Sequence, residues 1–344
     1  MTRLRFCAAA GALMLFASTA FAQPVPTRRI NDPSAAGPVL RLSQVLRLGS
    51  LEGEHDAFGR VMDVALDRSG RVLVADDQSH DVRVFDARGR YVGTLGRQGR
   101  GPGEFQSPWQ VAADAQDSIW VWDSGLARIS VFSPSLRFAR SFQIPPEWVV
   151  NSLRFLPDGR VLLAAYGRST RGSLHLFSRA GRFQRSFGPV FNAPDLSGYE
   201  SSLLGGSVDV TSNSIVYSTK SPYEIWIFDL NGAPRQKCAG NAAWTTSPTA
   251  VVETTDAAAQ LRWNRYVHSS AVLDLGGGLL LNQVLDPSGD RTVFDVLTSD
   301  CRLLRRTQAP SAVMLGDRRG TRLAAIRNLE YPEVIIYEQR MAPR

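Results

Sequence analysis

The chain has 344 residues and a formal charge of +7, and its basic side chains are arginines apart from Lys220 and Lys237. The arginines are scattered among apolar runs and turns, with Arg305-Arg306 and Arg318-Arg319, like Arg28-Arg29, no more than adjacent pairs. That distribution excludes the dense basic block of a nucleic-acid partner and leaves a solvated basic surface.

Arg3 and Arg5 precede an apolar run, Ala8 to Ala17, and an Ala20-Phe21-Ala22 cleavage pattern. This reads as a signal peptide over residues 1–22, with an apolar run too short for a stable membrane anchor. Cleavage leaves 344 − 22 = 322 residues, expected in the periplasm or the medium. So long a chain exceeds one ordinary compact core but suits a ring of modules, each packed on its neighbours. Residues 23–38, rich in Pro, Arg and small polar residues, read as a flexible leader. Val39 to Leu48 alternates as a strand does but has no strand beside it in sequence.

Val61 to Phe132 then holds two copies of one pattern. Asp67-Arg-Ser-Gly70 aligns with Asp114-Ala-Gln-Asp117, Asp76 with Asp123, and Val82–Phe85 with Ile129–Phe132. Four short apolar runs per unit, at a period of about 40–50 residues, are the signature of a β-propeller blade. Further units begin at Asn151, at Ser207 (with Asn231-Gly232 as a hairpin turn), at His268 and near Pro310. The last unit is one strand short, and Val39–Leu48 supplies it, closing the ring from the opposite terminus. The expected fold is all-β: a six-bladed propeller of four-stranded antiparallel blades over 39–338, a tail at 339–344, and a monomer. An insertion at 239–267 breaks the period. Thr254-Thr-Asp256 caps a short amphipathic helix there, and its Trp263 and Tyr266 are expected at a lid or partner contact.

Leu95 to Pro108 reads LGRQGRGPGEFQSP, followed by VAAD, a turn and IWVWDSGLARISVF. Gly101, Pro102, Gly103, Glu104, Phe105, Pro108, Asp123 and Arg128 together resemble the NHL repeat. The resemblance implies an exported bacterial six-bladed ring. It implies no single function, since proteins with such rings include receptors, scaffolds, lyases and esterase-like enzymes. Blade one fits more loosely, having Asp81 where the repeat places a basic residue.

Inner strands line a propeller's channel. Aligned on Val64, Val111, Leu153, Val208, Ala271 and Ala312, they place Asp63, Gln110, Ser152, Ser207, Ser270 and Ser311 one residue earlier. All six are polar, which fits either plain hydration of the channel or a ligand site at one mouth. Trp109 and Asn151, one position further back, are suited to stack on and hydrogen-bond a ligand. A hard cation needs several oxygen ligands, and Asp63, Asn151 and Asp209 are the thin set available for Ca²⁺ or another divalent ion. His55, His80, His175 and His268 fall at different positions within their blades, and neither H-E-x-x-H nor G-x-S-x-G occurs. No catalytic residue is assigned. The two cysteines of the mature chain, Cys238 and Cys301, make a poor zinc site without nearby histidines. Export permits them to pair, and the separation of their backbones decides whether they do. The expectation is a non-catalytic binding module without a cofactor, meeting a protein, peptide or glycan across one face of the ring. The alternative is a cation-dependent hydrolase or lyase, as on lactonase-like propellers.

Overall fold

The computed structural model describes residues 24–31, 38–167, 170–190, 205–220, 222–240, 268–285, 292–308, 313–328 and 330–342. Among them every regular element is a strand. Six antiparallel sheets of four form the blades. Their innermost strands are Val61–Leu66, Pro108–Ala113, Val149–Phe155, Gly206–Val210, His268–Gly276 and Val313–Arg319. Each inner strand lies against that of the next blade, and the sixth against the first, so the ring closes. This is a six-bladed β-propeller.

The repeated Asp-x-x-Gly or Asp-x-x-Asp turn has a local cause. Asp67 accepts the amide of Arg71 and the hydroxyl of Ser69, and Asp114 accepts the amides of Gln116 and Ser118. The fourth turn residue needs positive φ, which Gly70 adopts at 84° and Asp117 at 59°. Between blades the apolar runs interlock. Ala65, Leu73 and Val84 of blade one pack with Val111, Ile119 and Val121 of blade two.

Closure works as the chain order suggests. Val39–Leu48 pairs antiparallel with Pro332–Ala342, from Val39 opposite Ala342 to Leu48 opposite Val334. The tail expected from 339 is therefore strand as far as Ala342, because the long N-terminal strand gives it a partner. The leader also departs from expectation. Thr27–Arg29 is a fifth, parallel strand on the outer edge of blade four, opposite Lys237–Ala239. That edge offers unpaired amides and carbonyls, and an extended segment satisfies them; the Lys237 amide, for example, donates to the Pro26 carbonyl. Ile30 then enters a buried cluster with Cys238 and Cys301. Those cysteines form a disulfide with their Cα atoms 5.2 Å apart, joining the outer edges of blades four and five. The signal peptide, the helix of the insertion, Trp263 and Tyr266 lie outside the described residues. No helix among the described residues is long and apolar enough to cross a membrane.

Candidate functional site

Asp123 and Arg128, with their counterparts in blade one, hold the loops between blades. Asp123 accepts the amides of Gln106, Ser107 and Leu126, and Arg128 donates to the carbonyls of Arg100, Gly101 and Glu104. Asp76 accepts the amides of Gly59, Arg60, Gln78 and Ser79 in the same way. Blade one lacks a basic residue at Asp81, but Arg83, two positions on, donates to the carbonyls of His55 and Ala57. The role survives the displacement because Arg83 points to the same side of its strand as Asp81.

The polar positions of the inner strands also serve the ring itself. Asp63 accepts the amide of Val64 at 2.9 Å and, across the seam, that of Val111 at 3.0 Å. The Ser152 hydroxyl accepts from Val208 of blade four, and the Ser207 hydroxyl accepts from Val272 of blade five. In blade five the hydrogen-bonding register corrects the sequence alignment: Val272, not Ala271, occupies the repeated apolar position. The ring position falls on Ala271, and Gln283 of the neighbouring strand accepts the amide of Leu315 in blade six instead. Ser270 is displaced into a β-bulge, between Ser269 and Ala271 in the pairing. Met62, Trp109 and Asn151 sit in matching bulges of blades one to three. A bulge re-aims its side chain, so Met62, Trp109 and Asn151 stand at the entry mouth, where the inner strands begin; the side chain of Ser270 lies outside what is described. Trp109 is 37% exposed there. Among the described residues Gln110 reaches its neighbour's carbonyl, Trp109 O, at 3.3 Å. The buried side-chain oxygen of Asn151 has no hydrogen-bond partner among the described residues. Ser311 and Ala312 lie outside them.

Halfway down the channel stands a residue that sequence alignment passed over. Arg154 of blade three crosses the axis and donates to the Gly316 carbonyl of blade six at 2.9 Å, and to its own neighbour, Leu153 O, at 3.0 Å. Its Nε lies 3.6 Å from Asp209. Burial works against its charge, but Asp317, Asp209 and Asp63 outweigh burial and hold the guanidinium above its ordinary pKa. The carboxylates are themselves tied to backbone. Asp209 accepts the amides of Val210 and Asp274, and Asp317 accepts that of Leu66 across the closing seam. Desolvation pushes the Asp63 carboxyl up to about 7, against the pull of Arg154. It raises Asp209 in the same way. The carboxylates proposed from sequence as cation ligands therefore face a guanidinium belonging to the chain. Among the described residues no three His, Cys, Asp or Glu side chains gather as a metal site. Asn151 lies in the bulge above rather than with Asp63 and Asp209. The signal that could have found Arg154 is its register: it is the residue after the apolar Leu153, as Asp209 is the residue after Val208.

Beyond Arg154 the exit mouth opens into a cavity of about 340 Å³ lined by Arg154, Asp209, Asp317, Arg318 and Arg319. Arg318 donates to the carbonyls of Asp274 and Leu275, and Arg319 to those of Leu66 and Ala113. These arginines lace the ends of four blades together. At the entry face the chain turns at Lys220, whose amide donates to the Gly205 carbonyl. Burial pushes the Lys220 ammonium down to about 8.

A larger cleft, of about 630 Å³, lies on the rim between blades two and three. Trp148, Phe177, Phe183, Arg171, Arg185 and Ser186 line it, with Gln143 of blade two on the other side. Trp148 and Phe183 meet edge to face at 6.2 Å between ring centres, and Phe177 and Phe183 at 5.5 Å.

The sequence of a 6-bladed beta-propeller family, DUF5128, matches residues 54–153. No curated protein matches the chain. Among solved structures it is similar to a candidate exported protein from Bacteroides fragilis, at 13% identity and a TM-score of 0.62 over 92% of this chain and 99% of that one. It is also similar to a gluconolactonase from Xanthomonas campestris, at 15% identity and a TM-score of 0.54 over 92% and 98% of the two chains. A third likeness is to virginiamycin B lyase from Staphylococcus aureus, at 11% identity and a TM-score of 0.52 over 88% and 99%. At such identities the likeness is one of fold. The same ring carries proteins named as enzymes and proteins named only as exported.

Proposed function

We propose that this protein is an exported, non-catalytic propeller of NHL-like type that binds a protein, peptide or glycan outside the channel, without a cofactor. The supporting observation is the crossing of the channel by Arg154, whose guanidinium meets Asp209 and the Gly316 carbonyl. A catalytic cation on the axis would have to share its carboxylates with this built-in cation, and like charges in a buried site repel strongly. The polar residues nearest the axis support the same reading, since Asp63, Ser152, Ser207 and Gln283 are engaged in joining blade to blade. Contact then falls to the entry face, where Trp109 is exposed, and to the insertion bearing Trp263 and Tyr266.

The test is a thermal melt of the protein from Gln23 onward, first with chelator and then with Ca²⁺, Mg²⁺ or Zn²⁺, run beside turnover of lactones and esters. A bound ion at 100 times its dissociation constant would stabilise by about 2.7 kcal/mol. The binding reading expects no shift and no turnover. A shift with one ion, accompanied by turnover, would replace it with the hydrolase or lyase reading. Capture of a partner that fails for Trp109→Ala or Trp263→Ala, with unchanged melting, supports the face-binding reading directly.

A further inference from the structure

The entry face carries a pocket at the seam between blades one and two. Its volume is about 440 Å³, and Arg60, Asp77, Gln78, His80, Gln106 and Ser107 line it. Asp77 to His80 join the strands Val72–Asp76 and Asp81–Phe85 on the side where the inner strands begin, and Gln106-Ser107 leads into the inner strand of blade two.

The repeat supplies a control within the molecule, because Ser124 to Ala127 is the same loop in blade two. In both loops the preceding aspartate, Asp76 or Asp123, accepts the amide three residues on. In both, the first amide donates to the residue ahead of an inner strand: Asp77 to the Arg60 carbonyl and Ser124 to the Ser107 carbonyl, each at 2.9 Å. Both end on positive φ, 57° at His80 and 49° at Ala127. Blade two makes this turn with Ser-Gly-Leu-Ala. The turn therefore does not require the side chains of Asp77, Gln78 and His80.

Those side chains instead assemble a polar wall across the seam. The Asp77 carboxylate accepts from the Arg60 guanidinium of its own blade and from the Ser107 hydroxyl of the next. Asp77 is only 3% exposed, so it fixes these two groups in place and leaves them to meet a ligand. Ser107 keeps its oxygen lone pairs as acceptors. Arg60 is exposed and keeps N–H groups beyond the one Asp77 takes. His80 Nδ1 lies 2.7 Å from the Gln106 carbonyl, which can only accept, so Nδ1 carries a proton. In the neutral ring Nε2 is then an acceptor, and it has no hydrogen-bond partner among the described residues. Gln78 stands exposed beside them.

We propose that this pocket binds one neutral sugar residue of a glycan. The charges of Arg60 and Asp77 cancel, so the walls select no ion. Every lining side chain is polar, so the pocket offers no apolar seat for the aromatic or aliphatic anchors that carry protein and peptide contacts. A hydroxyl both donates and accepts, and a sugar ring presents several at once to the interleaved donors and acceptors of this wall. A volume of about 440 Å³ is on the scale of single-ligand sites. The inference rests on the reading of the entry face as a contact surface, and it selects the glycan from the three partner classes of that reading.

The test titrates methyl α-glucopyranoside, methyl α-mannopyranoside, methyl β-galactopyranoside and methyl N-acetyl-β-glucosaminide into the protein from Gln23 onward at neutral pH, read by saturation-transfer NMR. At least one of these sugars is expected to bind at millimolar concentration. Gln78→Gly with His80→Ala, the residues that blade two carries at these positions, is expected to weaken that binding by about tenfold or more. Asp77→Ser, which again copies blade two and releases Arg60 and Ser107, is expected to weaken it likewise. Unchanged melting of each variant confirms folding. No transfer to any of the sugars, or full affinity in the Gln78→Gly, His80→Ala variant, would overturn the inference. Capture of a protein partner that fails for Trp109→Ala, while none of the sugars binds, would overturn it alone and leave the face-binding reading standing. Ion-dependent turnover of a lactone would strike that reading, and the sugar titration would still decide the pocket.

Discussion

Replacing Arg154 by methionine keeps most of the side-chain volume and removes the charge from the middle of the channel. Two hydrogen bonds disappear, to Gly316 O and Leu153 O, and their loss is independent of pH. At about 1 kcal/mol net for each, this costs about 2 kcal/mol. The second loss is electrostatic. Asp209, Asp317 and Asp63 lose the cation that offsets their burial. Breaking one partner out of a buried ion pair costs about 3–5 kcal/mol in all, so about 2 kcal/mol remains for the charges. That part depends on pH. Asp63, with its carboxyl at about 7, is largely neutral at pH 5 and has little to lose there, whereas at pH 8 it must ionise beside no counter-charge or take up a proton. The expected loss is therefore about 4 kcal/mol at pH 8 and less at pH 5, where the Asp63 share falls away. In a ring of this size that is a fall in Tm of about 6 °C at pH 8 and a smaller one at pH 5. Paired calorimetric scans of wild type and variant at the two pH values read it directly. Equal losses at both pH values would refute the electrostatic account. A loss under about 1 kcal/mol at pH 8 would show that the guanidinium does not hold the channel together.

Other consequences follow from the same geometry. Asp63 holds a proton in the folded state, up to about pH 7, that an unfolded chain releases near 3.8. Its contribution is fully present below pH 3.8 and lost as pH rises through 7, about 4 kcal/mol in total at about 1.36 kcal/mol per pH unit. Urea melts of wild type and Asp63→Asn should differ by that slope between pH 4 and 7; parallel curves would mean that the carboxyl titrates normally. The disulfide spans a separation of 63 residues, for which loop-closure entropy gives about 4 kcal/mol. Cys238→Ser with Cys301→Ser should lower Tm by about 6 °C without loss of β-sheet signal, and an unchanged Tm would place the stabilisation elsewhere. Lys220 and Lys237 are the chain's lysines, and Lys237 is paired with Glu224 at 2.9 Å. An amine-selective acylating reagent at pH 8 should therefore modify Lys220 before Lys237, with a midpoint near 8 set by its desolvation, as read by peptide mass spectrometry. Preferential labelling of Lys237 would contradict that assignment.

What the sequence made legible and what it concealed divide along a physical line. The blades were legible because their second and third strands are mostly buried on both faces and their turns are closed by a carboxylate or hydroxyl of their own, so the pattern repeats locally. Closure by Val39–Leu48 was legible for the same reason: a unit short of one strand has an open edge, and the unpaired strand was in view. The channel was harder. Blade five carries its bulge at Ser270, two residues before Val272, as Met62, Trp109 and Asn151 stand two before Val64, Val111 and Leu153. The alignment on Ala271 was one residue out because Ser270-Ala271 repeats the polar–apolar step of the other blades one position early, and a one-residue slip exchanges the faces of a strand. In the sequence Ser270 resembles Ser152 and Ser207, but the bridge from blade five to blade six is made by Gln283 from the second strand; Ser311 lies outside the described residues. Arg154 was concealed for a related reason. Its partners Asp63, Asp209 and Asp317 lie on three other blades, and nothing local in Leu153-Arg154-Phe155 distinguishes an arginine that crosses the channel from one that faces solvent. The cleft has the same origin. Trp148 and Gln143 come from one blade and its linker, and Arg171, Phe183 and Arg185 from the next. The repeat thus specifies the ring through contacts within a blade, whereas the features open to function arise between blades, where the period no longer constrains the residue.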